Sequence, residues 1–334
     1  MKEVIPDIYQ LQLPTADFPP GYVNAYLIQG NNKWLLIDTG WDTKEVLVSL
    51  KKQLDEIGIS VKDIAQIALT HSHTDHAGLA GRLKHLSHTQ IYLHKLEIDI
   101  TKFRFVSADK LCGDKFLQQT DQLLRTHGVP VSELAEPQTL LPEMTLLPFP
   151  DITLQGGETI SIGAFNFQVL WTPGHSPGHI SLYEPTRKIL FSGDLILPTI
   201  ASNVGLHLQH SSNPLDDYLN SLKVIKRLEV NLVLPGHEHP FTNLPQRIEE
   251  LIQHHKQKNT EILEAVANGK PKTAYQISLA MSWLPDTNKA GWHNLPQWDK
   301  RFTVLETVAH LESMKVSGKV DRAFENSTIY YHPA

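Results

Sequence analysis

The sequence predicts a layered α/β fold, and three features of the chain lead to this prediction. Short apolar strands alternate with amphipathic helices in the N-terminal part. Several later apolar segments end in turn residues followed by histidine or aspartate. Three helical segments and two short β-like segments follow residue 245. Alternation of strands and helices indicates helices packed in layers on sheets. The change of pattern after residue 245 indicates a second, smaller domain.

The N-terminal elements show the alternation most clearly. Asp42 and Thr43 offer capping side chains for a helix that runs to about Ile57 and is closed by Gly58. The next strand delivers the chain directly to His71. The remaining predicted elements are strands at 4–13, 22–28, 34–37, 64–69 and 91–93 and a helix at 75–86.

Residues 96–150 interrupt this pattern. Their helical periodicity is broken, and prolines divide the second half of the segment. Long irregular segments in a folded domain commonly carry function. We therefore interpret 96–150 as a helical and loop insertion over the site or beside it, within a first domain that spans 1–245.

The C-terminal segments differ in character from the first domain. Strand character resumes at about residue 153, and a helix at 215–228 and a strand at 231–234 complete the first domain. Residues 246–334 then contain three predicted helices followed by two strands, at 247–268, 273–281, 299–315, 319–324 and 328–332. Three helices and a terminal hairpin are typical of a winged helix, so we predict a winged-helix domain at 246–334.

Composition excludes several classes of protein. The 334 residues are 41% hydrophobic and 20% charged, which is ordinary for a globular protein. No run approaches the ~18 apolar residues of a membrane helix. A net charge of -6 gives no general attraction to nucleic acid or to anionic membranes. The N-terminus lacks an apolar signal segment, and Cys112 is the single cysteine, so we expect a cytoplasmic protein without membrane partners.

The run His71-Ser72-His73-Thr74-Asp75-His76 carries three imidazoles and a carboxylate directly after a predicted buried strand. Neighbouring side chains of a strand point to opposite faces, so these ligands require a loop that turns into a helix. Imidazole nitrogen and carboxylate oxygen suit zinc, iron and manganese, so the ligand types leave the metal open. Chance clustering among 18 histidines is the alternative, and the fixed spacing after a strand argues against it.

Three further segments present potential ligands at strand ends: Trp171-Thr172-Pro173-Gly174-His175, Phe191-Ser192-Gly193-Asp194 and Leu234-Pro235-Gly236-His237. A sheet brings such strand ends together. One tetrahedral metal uses four ligands, whereas two metals that share a carboxylate use more. The sequence therefore predicts a two-metal site that uses His71, His73, Asp75, His76, His175, Asp194 and His237.

These motifs, in this order, resemble the metallo-β-lactamase superfamily, most closely its glyoxalase II-like branch, over roughly residues 1–245. The segment Ile37-Asp38-Thr39-Gly40 is similar to the family's early strand motif, whose aspartate supports the metal loop. The resemblance implies a four-layer αββα sandwich. It also implies one metal on His71, His73 and His175, a second on Asp75, His76 and His237, and Asp194 as the bridge.

The chemistry expected of such a site is hydrolysis. Two divalent ions per chain, most simply zinc with iron or manganese as alternatives, activate a bridging hydroxide at neutral pH. This hydroxide attacks a carbonyl or phosphoryl centre, and Asp75 is the residue expected to orient it.

Other histidines carry weaker expectations. His179 is a candidate for supporting the ligands, whereas His239 is expected at the surface. His207 and His210 follow Asp194 and are either substrate contacts or, as we favour, exposed loop residues. We expect scattered surface imidazoles at His85, His88, His94, His127, His254 and His255.

Three functions remain open. A hydrolase of a small-molecule ester, thioester or lactone is preferred, because Asp194 argues against a true β-lactamase. The alternative is a metal-dependent endoribonuclease or phosphodiesterase acting on single-stranded RNA, because residues 246–334 resemble the winged-helix extension of lactamase-β-2-like proteins. However, residues 251–334 carry a net charge of only +2, and nucleic-acid-binding modules are usually more basic. A non-catalytic winged-helix regulator is the third interpretation, and a homo-oligomer is left open.

Overall fold

Two β-sheets form the centre of the molecule. The computed structural model describes residues 1–15, 21–98, 100, 111–134, 149–206, 208, 213–267, 269–281, 283, 292, 295 and 297–334. The first sheet has seven strands in sequential order, which are β1 Lys2–Ile5, β2 Ile8–Pro14, β3 Tyr22–Gln29, β4 Trp34–Ile37, β5 Ile64–Ala68, β6 Gln90–His94 and β7 Ile152–Leu154. The pairs from β1 to β4 are antiparallel, and those from β4 to β7 are parallel.

The second sheet has five strands in the order β12-β11-β10-β9-β8. They are β8 Thr159–Ile162, β9 Phe165–Trp171, β10 Ile180–Glu184, β11 Ile189–Gly193 and β12 Leu232–Pro235. Strands β8 to β11 pair antiparallel, whereas β11 and β12 are parallel. A parallel pair requires a crossover, and the crossover between β11 and β12 contains a helix that covers the outer face of this sheet.

Helices cover both outer faces. The first sheet carries α1 Lys44–Asp55, α2 Thr74–Ala77 and α3 Ala80–Ser87, and the second carries α5 Pro214–Ile225 and the first turns of α6 Leu244–Ala267. Separate apolar clusters fill the three interfaces between the four layers. Strand β4 shows how the sequence builds them, because Leu36 packs toward the helices while Leu35 and Ile37 pack between the sheets. The predicted αββα sandwich is confirmed.

The helix predicted at 75–86 is two helices. Helix α2 ends at Ala77 and α3 begins at Ala80. The break has a tertiary cause, because the Leu79 N–H donates to the Gly40 carbonyl at 2.9 Å instead of continuing the helical ladder. A local hydrophobic pattern carries no information about that bond, so the prediction of one continuous helix was wrong.

The remaining elements are α4 Leu111–Thr126, α7 Ala274–Ser278, α8 Gln297–Val316, the hairpin β13 Val320–Glu325 and β14 Thr328–Pro333, and two three-residue 3-10 helices, Val61–Asp63 and Val131–Glu133. The predicted insertion at 96–150 thus contains one long helix among its described residues, while 99, 101–110 and 135–148 lie outside them. The winged-helix interpretation and the division at residue 245 stay predictions.

The C-terminal helices share one apolar core with the insertion. Ile262, Val308 and Tyr331 are buried in the same cluster as Leu124 and Val129. The buried apolar side chains of α8, such as Leu305 and Val308, therefore pack against the insertion. Within the described ranges, no helix combines the length and apolar character needed to span a membrane.

Candidate metal centre

The seven predicted ligands lie on four segments that follow strands. Strand β5 ends at Ala68, and the loop that leads into α2 carries His71 and His73, with Asp75 and His76 in the helix itself. The other three ligands follow β9, β11 and β12 and are His175, Asp194 and His237. The structure brings all seven side chains together, and their assignment as metal ligands stays a prediction.

The first set of donors consists of three histidines. The Nε2 of His175 lies 2.9 Å from the Nδ1 of His73, and the rings of His71 and His73 are 4.4 Å apart. One nitrogen from each of His71, His73 and His175 lies within 4.8 Å of the other two. Donors at this spacing can share a single ion.

The second set lies beside the first. The Nε2 of His237 is 3.2 Å from the Oδ2 of Asp75 and 3.3 Å from the Nε2 of His76. Asp194 lies between the sets, because its Oδ2 is 3.5 Å from the Nε2 of His175 and also 3.5 Å from the Nε2 of His237. Asp194 is therefore within reach of both sets of donors.

Hydrogen bonds behind the histidines set the direction of their lone pairs. The Thr70 hydroxyl donates to Asp38 Oδ2 at 2.8 Å and therefore accepts from the Nδ1 of His71, which is 3.0 Å away. His76 donates from Nδ1 to the same Asp38 oxygen at 2.9 Å. Both rings consequently direct Nε2 toward the cluster, and Asp38 is the support that the family motif implied.

His175 is oriented by a different loop. Its Nδ1 lies 2.9 Å from the carbonyl oxygen of Asn203, and since a carbonyl can only accept, that nitrogen carries the proton. The Nε2 of His175 is thus an unprotonated donor for a metal. The same loop is fixed to the C-terminal part, where the Leu206 N–H donates to the Leu305 carbonyl of α8 at 3.1 Å.

Two buried atoms in the cluster show that it suits a cation. The Nε2 of His71 and the Oδ1 of Asp194 have no hydrogen-bond partner, although buried polar atoms in proteins are nearly always satisfied. Both atoms point into the cluster of donors. A divalent metal would satisfy them, so the residues present fit the metal site that the motifs predict.

The electrostatics agree with a metal site. Burial, reinforced by the imidazoles of His76 and His73, holds the pKa of His71 well below its usual value. Burial opposes ionisation of Asp194, but His76 and His237 outweigh it and hold its pKa well below the usual range. Neutral imidazole and ionised carboxylate are the metal-binding forms. Asp194 and Asp75 in turn raise the pKa of His237 to about 10 despite its burial, which shows that the carboxylates favour positive charge here.

The glycine before His237 is required by the close approach of Asp194. A β-carbon on Gly236 would lie 2.4 Å from the Oδ1 of Asp194. His179 supports Asp194 from the other side, because the Asp194 N–H donates to its Nε2 at 3.1 Å. His179 is therefore a support and not a ligand, and burial lowers its pKa to about 3, so it stays neutral.

Sequence reasoning missed the residues that hold the His237 loop. Asn24 donates to the carbonyls of Pro235 and Glu238, both at 2.9 Å, and the Tyr26 hydroxyl donates to Pro235 at 2.8 Å. Both residues lie on β3, and no pattern in that strand distinguishes them from ordinary polar positions. Only the sheet that places β3 beside this loop makes their role visible.

The other histidines that the sequence analysis named fall into four groups, and His254 alone forms the first, because it is half-buried. His239, His85 and His88 are exposed, as expected. His207 and His210 lie outside the described residues. The surface prediction was wrong for His94, His127 and His255, which are buried. Each of these three packs a ring against another ring, which a count of histidines cannot reveal, and the partners are Trp171, Tyr331 and His310.

Comparison with known proteins identifies the family. Residues 18–237 match the family model described as the metallo-beta-lactamase superfamily. The chain is 28% identical over 333 residues to the "Probable metallo-hydrolase YqjP" of Bacillus subtilis, with 97% of each chain covered. The crystal structure of the metallo-beta-lactamase family protein TTHA1429 from Thermus thermophilus superposes with a TM-score of 0.83 at 31% identity, covering 99% of this chain and 100% of that one.

Two further relatives have names that state an activity. The hydroxyacylglutathione hydrolase GloC of Haemophilus influenzae is 28% identical over 48% of this chain and 60% of its own length. The acyl-coenzyme A thioesterase MBLAC2 of Homo sapiens is 28% identical over 65% of this chain and 74% of its own. With the family model covering most of the sandwich and the strand-end donors assembled as described, the chain belongs to the metallo-beta-lactamase superfamily and is a metal-dependent hydrolase.

Proposed function

We propose that this chain hydrolyses a small-molecule thioester, or a related ester or lactone, with two divalent metal ions. The observation that carries the proposal is the position of Asp194 between two complete sets of donors. The first set is His71, His73 and His175, and the second is Asp75, His76 and His237. The nitrogen-rich donors favour zinc, and iron or manganese suit the same ligand types.

When bound, two such ions would lower the pKa of a water held between them and polarise the oxygen of the substrate. The chain itself supplies orientation. Asp75 is the more exposed of the two central carboxylates, since 22% of its side chain is accessible against 9% for Asp194. We assign Asp75 the role of orienting the attacking water, while the buried Asp194 holds the two donor sets together.

The substrate class is inferred from the relatives. One is named an acyl-coenzyme A thioesterase and another a hydroxyacylglutathione hydrolase. Both names describe hydrolysis of an acyl group carried on a thiol cofactor, which is chemistry that this donor arrangement would support. A single cysteine fits a cytoplasmic location, where the thiol cofactors that carry such acyl groups are kept reduced.

The nuclease alternative has less support. Of the basic residues near the hairpin, Arg322 donates to the Glu312 carboxylate at 2.5 Å, so its charge is already paired. Lys315, which is half-buried, and Lys319, which is exposed, remain as phosphate contacts, and two lysines provide weak affinity for RNA. The packing of α8 against the insertion and against Leu206 supports a structural role for the C-terminal part.

A substrate panel tests the proposal. Purified chain, prepared without chelator, would be assayed against acyl-coenzyme A, acylglutathione, a lactone, bis-p-nitrophenyl phosphate and single-stranded RNA, with metal content measured on the same sample. We expect about two metal equivalents per chain and turnover fastest on a thioester. The matched control is His85→Ala, which removes an exposed imidazole outside the site and should leave metal content and turnover unchanged.

Turnover of RNA or of the phosphodiester, with inert thioesters, would make the nuclease the better hypothesis. A single tightly bound equivalent that survives Asp194→Ala would contradict the two-metal arrangement.

A further inference from the structure

Glu97 is a buried carboxylate that neither the motifs nor the proposed chemistry uses. It lies just after β6, its exposed fraction is 0%, and it accepts four hydrogen bonds. One oxygen, Oε2, accepts from the backbone N–H of Ser72 at 2.9 Å and from the Ser72 hydroxyl. The other oxygen, Oε1, accepts from the Ser176 hydroxyl and from the Gly178 N–H, both at 2.7 Å.

The two oxygens of Glu97 accept hydrogen bonds from two different ligand loops. Ser72 stands between His71 and His73, whereas Ser176 directly follows His175. Each oxygen therefore holds one of the loops that supply the first donor set. The loops are far apart in sequence, and the carboxylate sets the distance between them.

Gly178 allows the loop that carries His175 to pack closely against Glu97. A β-carbon on Gly178 would lie 2.8 Å from the Cγ of Glu97 and 2.9 Å from its backbone nitrogen. Any larger residue at 178 would push the loop that carries His175 away from the carboxylate. A buried charge is costly unless it is fully hydrogen-bonded, and here two N–H and two O–H donors satisfy it.

We propose that Glu97 is a positioning residue that fixes the spacing of the His71–His73 loop and the His175 loop, and so sets the metal affinity of the first donor set. The inference rests on the proposed function, because it assumes that this set holds a metal. Glu97 itself contacts no ligand atom in the described structure. Its effect passes through Ser72, Ser176 and Gly178.

The conservative variant Glu97→Gln tests the proposal sharply. The amide has one accepting oxygen and one donating nitrogen, so it can satisfy the donors of one loop but must turn N–H groups toward the donors of the other. One loop should therefore detach while the shape of the side chain is kept. The matched control is Glu184→Gln, because Glu184 is also buried and accepts a backbone N–H, from Arg187, but does not hold the ligand loops.

The first measurement is metal affinity by titration against a competing chelator, supported by the absorption spectrum of the cobalt-substituted protein. We expect Glu97→Gln to weaken one of the two equivalents by about 10- to 100-fold, the usual range for a support residue, with the second equivalent little changed. Glu184→Gln should leave both equivalents as in the unmodified chain. Affinities of Glu97→Gln equal to those of the control would overturn the proposal, as would equal weakening of both equivalents.

The second measurement needs no metal and no turnover. Amide hydrogen exchange in the metal-free protein should quicken at residues 71–73 or 175–178 in Glu97→Gln and at neither segment in Glu184→Gln. Hydrogen exchange tests the positioning role of Glu97 independently of the proposed function, because exchange rates can be measured even if the chain hydrolyses no thioester. If Glu97→Gln does not fold, Ser72→Ala and Ser176→Ala replace it. Each removes the hydroxyl hydrogen bond between Glu97 and one loop, while the backbone N–H of Ser72 or Gly178 still donates to the carboxylate. Unchanged exchange in both serine variants would contradict the role.

Discussion

Two clusters of buried histidines and carboxylates can be compared within this chain. The strand-end cluster is the set of seven donors that begins with His71, and the interhelical cluster consists of His255 on α6 and Glu306 and His310 on α8. In both clusters, three or more metal-binding side chains lie within 4.8 Å of one another. Proximity alone does not distinguish them.

The clusters differ in what already occupies their donors. Lys258 places its ammonium 2.6 Å from Glu306 Oε1, so the interhelical cluster contains its own cation. The Nδ1 of His310 lies 2.7 Å from the Asn259 side-chain oxygen, and its Nε2 lies 3.3 Å from the Nδ1 of His255. The Nε2 of His255 lacks a partner, but the other nitrogen of that ring is the one facing His310.

The strand-end cluster has the opposite arrangement. Its supports, Asp38 and the Asn203 carbonyl, hold the outer nitrogens of the rings and leave the inner ones facing each other. The lesson is that a metal site is recognised by hydrogen bonds made behind the ligands and by carboxylates that, among the described residues, pair only with histidines and not with a lysine. The number of donors is a weaker criterion.

The largest expected effect is at the shared carboxylate. Asp194→Ala should reduce the metal content below two equivalents and lower turnover by about 1,000-fold or more, because several kcal/mol of charge stabilisation is lost. Metal analysis and steady-state kinetics on the same preparation measure both. Full turnover with intact metal content would show that the two donor sets do not depend on a bridge.

Removing a carboxylate from the interhelical cluster should lower the stability of the fold and not the metal content. Glu306→Gln leaves Lys258 buried without its counter-charge, so the free energy of unfolding should fall by about 3 kcal/mol. Denaturant titration measures this loss, while metal content and turnover under native conditions should stay within about twofold of the parent. Loss of one metal equivalent in this variant would erase the distinction between the clusters.

Removing a support should have an intermediate effect. In Asp38 the Oδ1 accepts from the Thr70 N–H, and the Oδ2 accepts from the Thr70 hydroxyl and from His76. Asp38→Asn leaves one accepting oxygen, so the donors at the other position lose their acceptor. We expect metal affinity to weaken by about 10- to 100-fold with little change in the metal-free stability. A chelator competition assay measures it, and an unchanged affinity would mean that the ligand rings do not need Asp38.

The smallest expected effect concerns a buried histidine outside both clusters. Burial lowers the pKa of His127 to about 4, whereas in the unfolded chain it is near 6.5. Between these values the unfolded state binds more protons, so stability is fully present above pH 6.5 and falls as the pH drops toward 4. The slope should be at most about 1.4 kcal/mol per pH unit.

His127→Phe keeps a ring against Tyr331 and removes the titration. Urea titrations at several pH values should therefore show a shallower decline in this window than in the parent chain. Identical pH profiles would mean that His127 titrates normally in the folded protein.

The strand-end cluster could be predicted because each of its ligands is marked by neighbouring residues in the sequence. Each ligand follows an apolar strand within a few residues, and glycine marks the turn, as at Gly236. The four-layer arrangement followed from the resemblance that these motifs carry. His71 and His237 could therefore be placed in one site from the sequence alone.

The supports were not predictable, because they act across the fold. Asn24 contacts Pro235, which is 211 residues later, and Glu97 joins two loops that are themselves distant in the chain. His255 was assigned to the surface because the helical pattern of α6 does not show that α8 lies against it. A single sequence records such pairs as isolated polar residues, and only the packing of the elements reveals them.

The hydrogen bond between Leu206 and Leu305 has a consequence for the order of folding and metal binding. The loop that fixes the His175 ring is completed by α8, which the ribosome makes after all seven ligands have emerged. A nascent chain with its strands already paired would therefore still hold His175 loosely. We expect metal loading of the first donor set to follow the docking of α8 onto this loop.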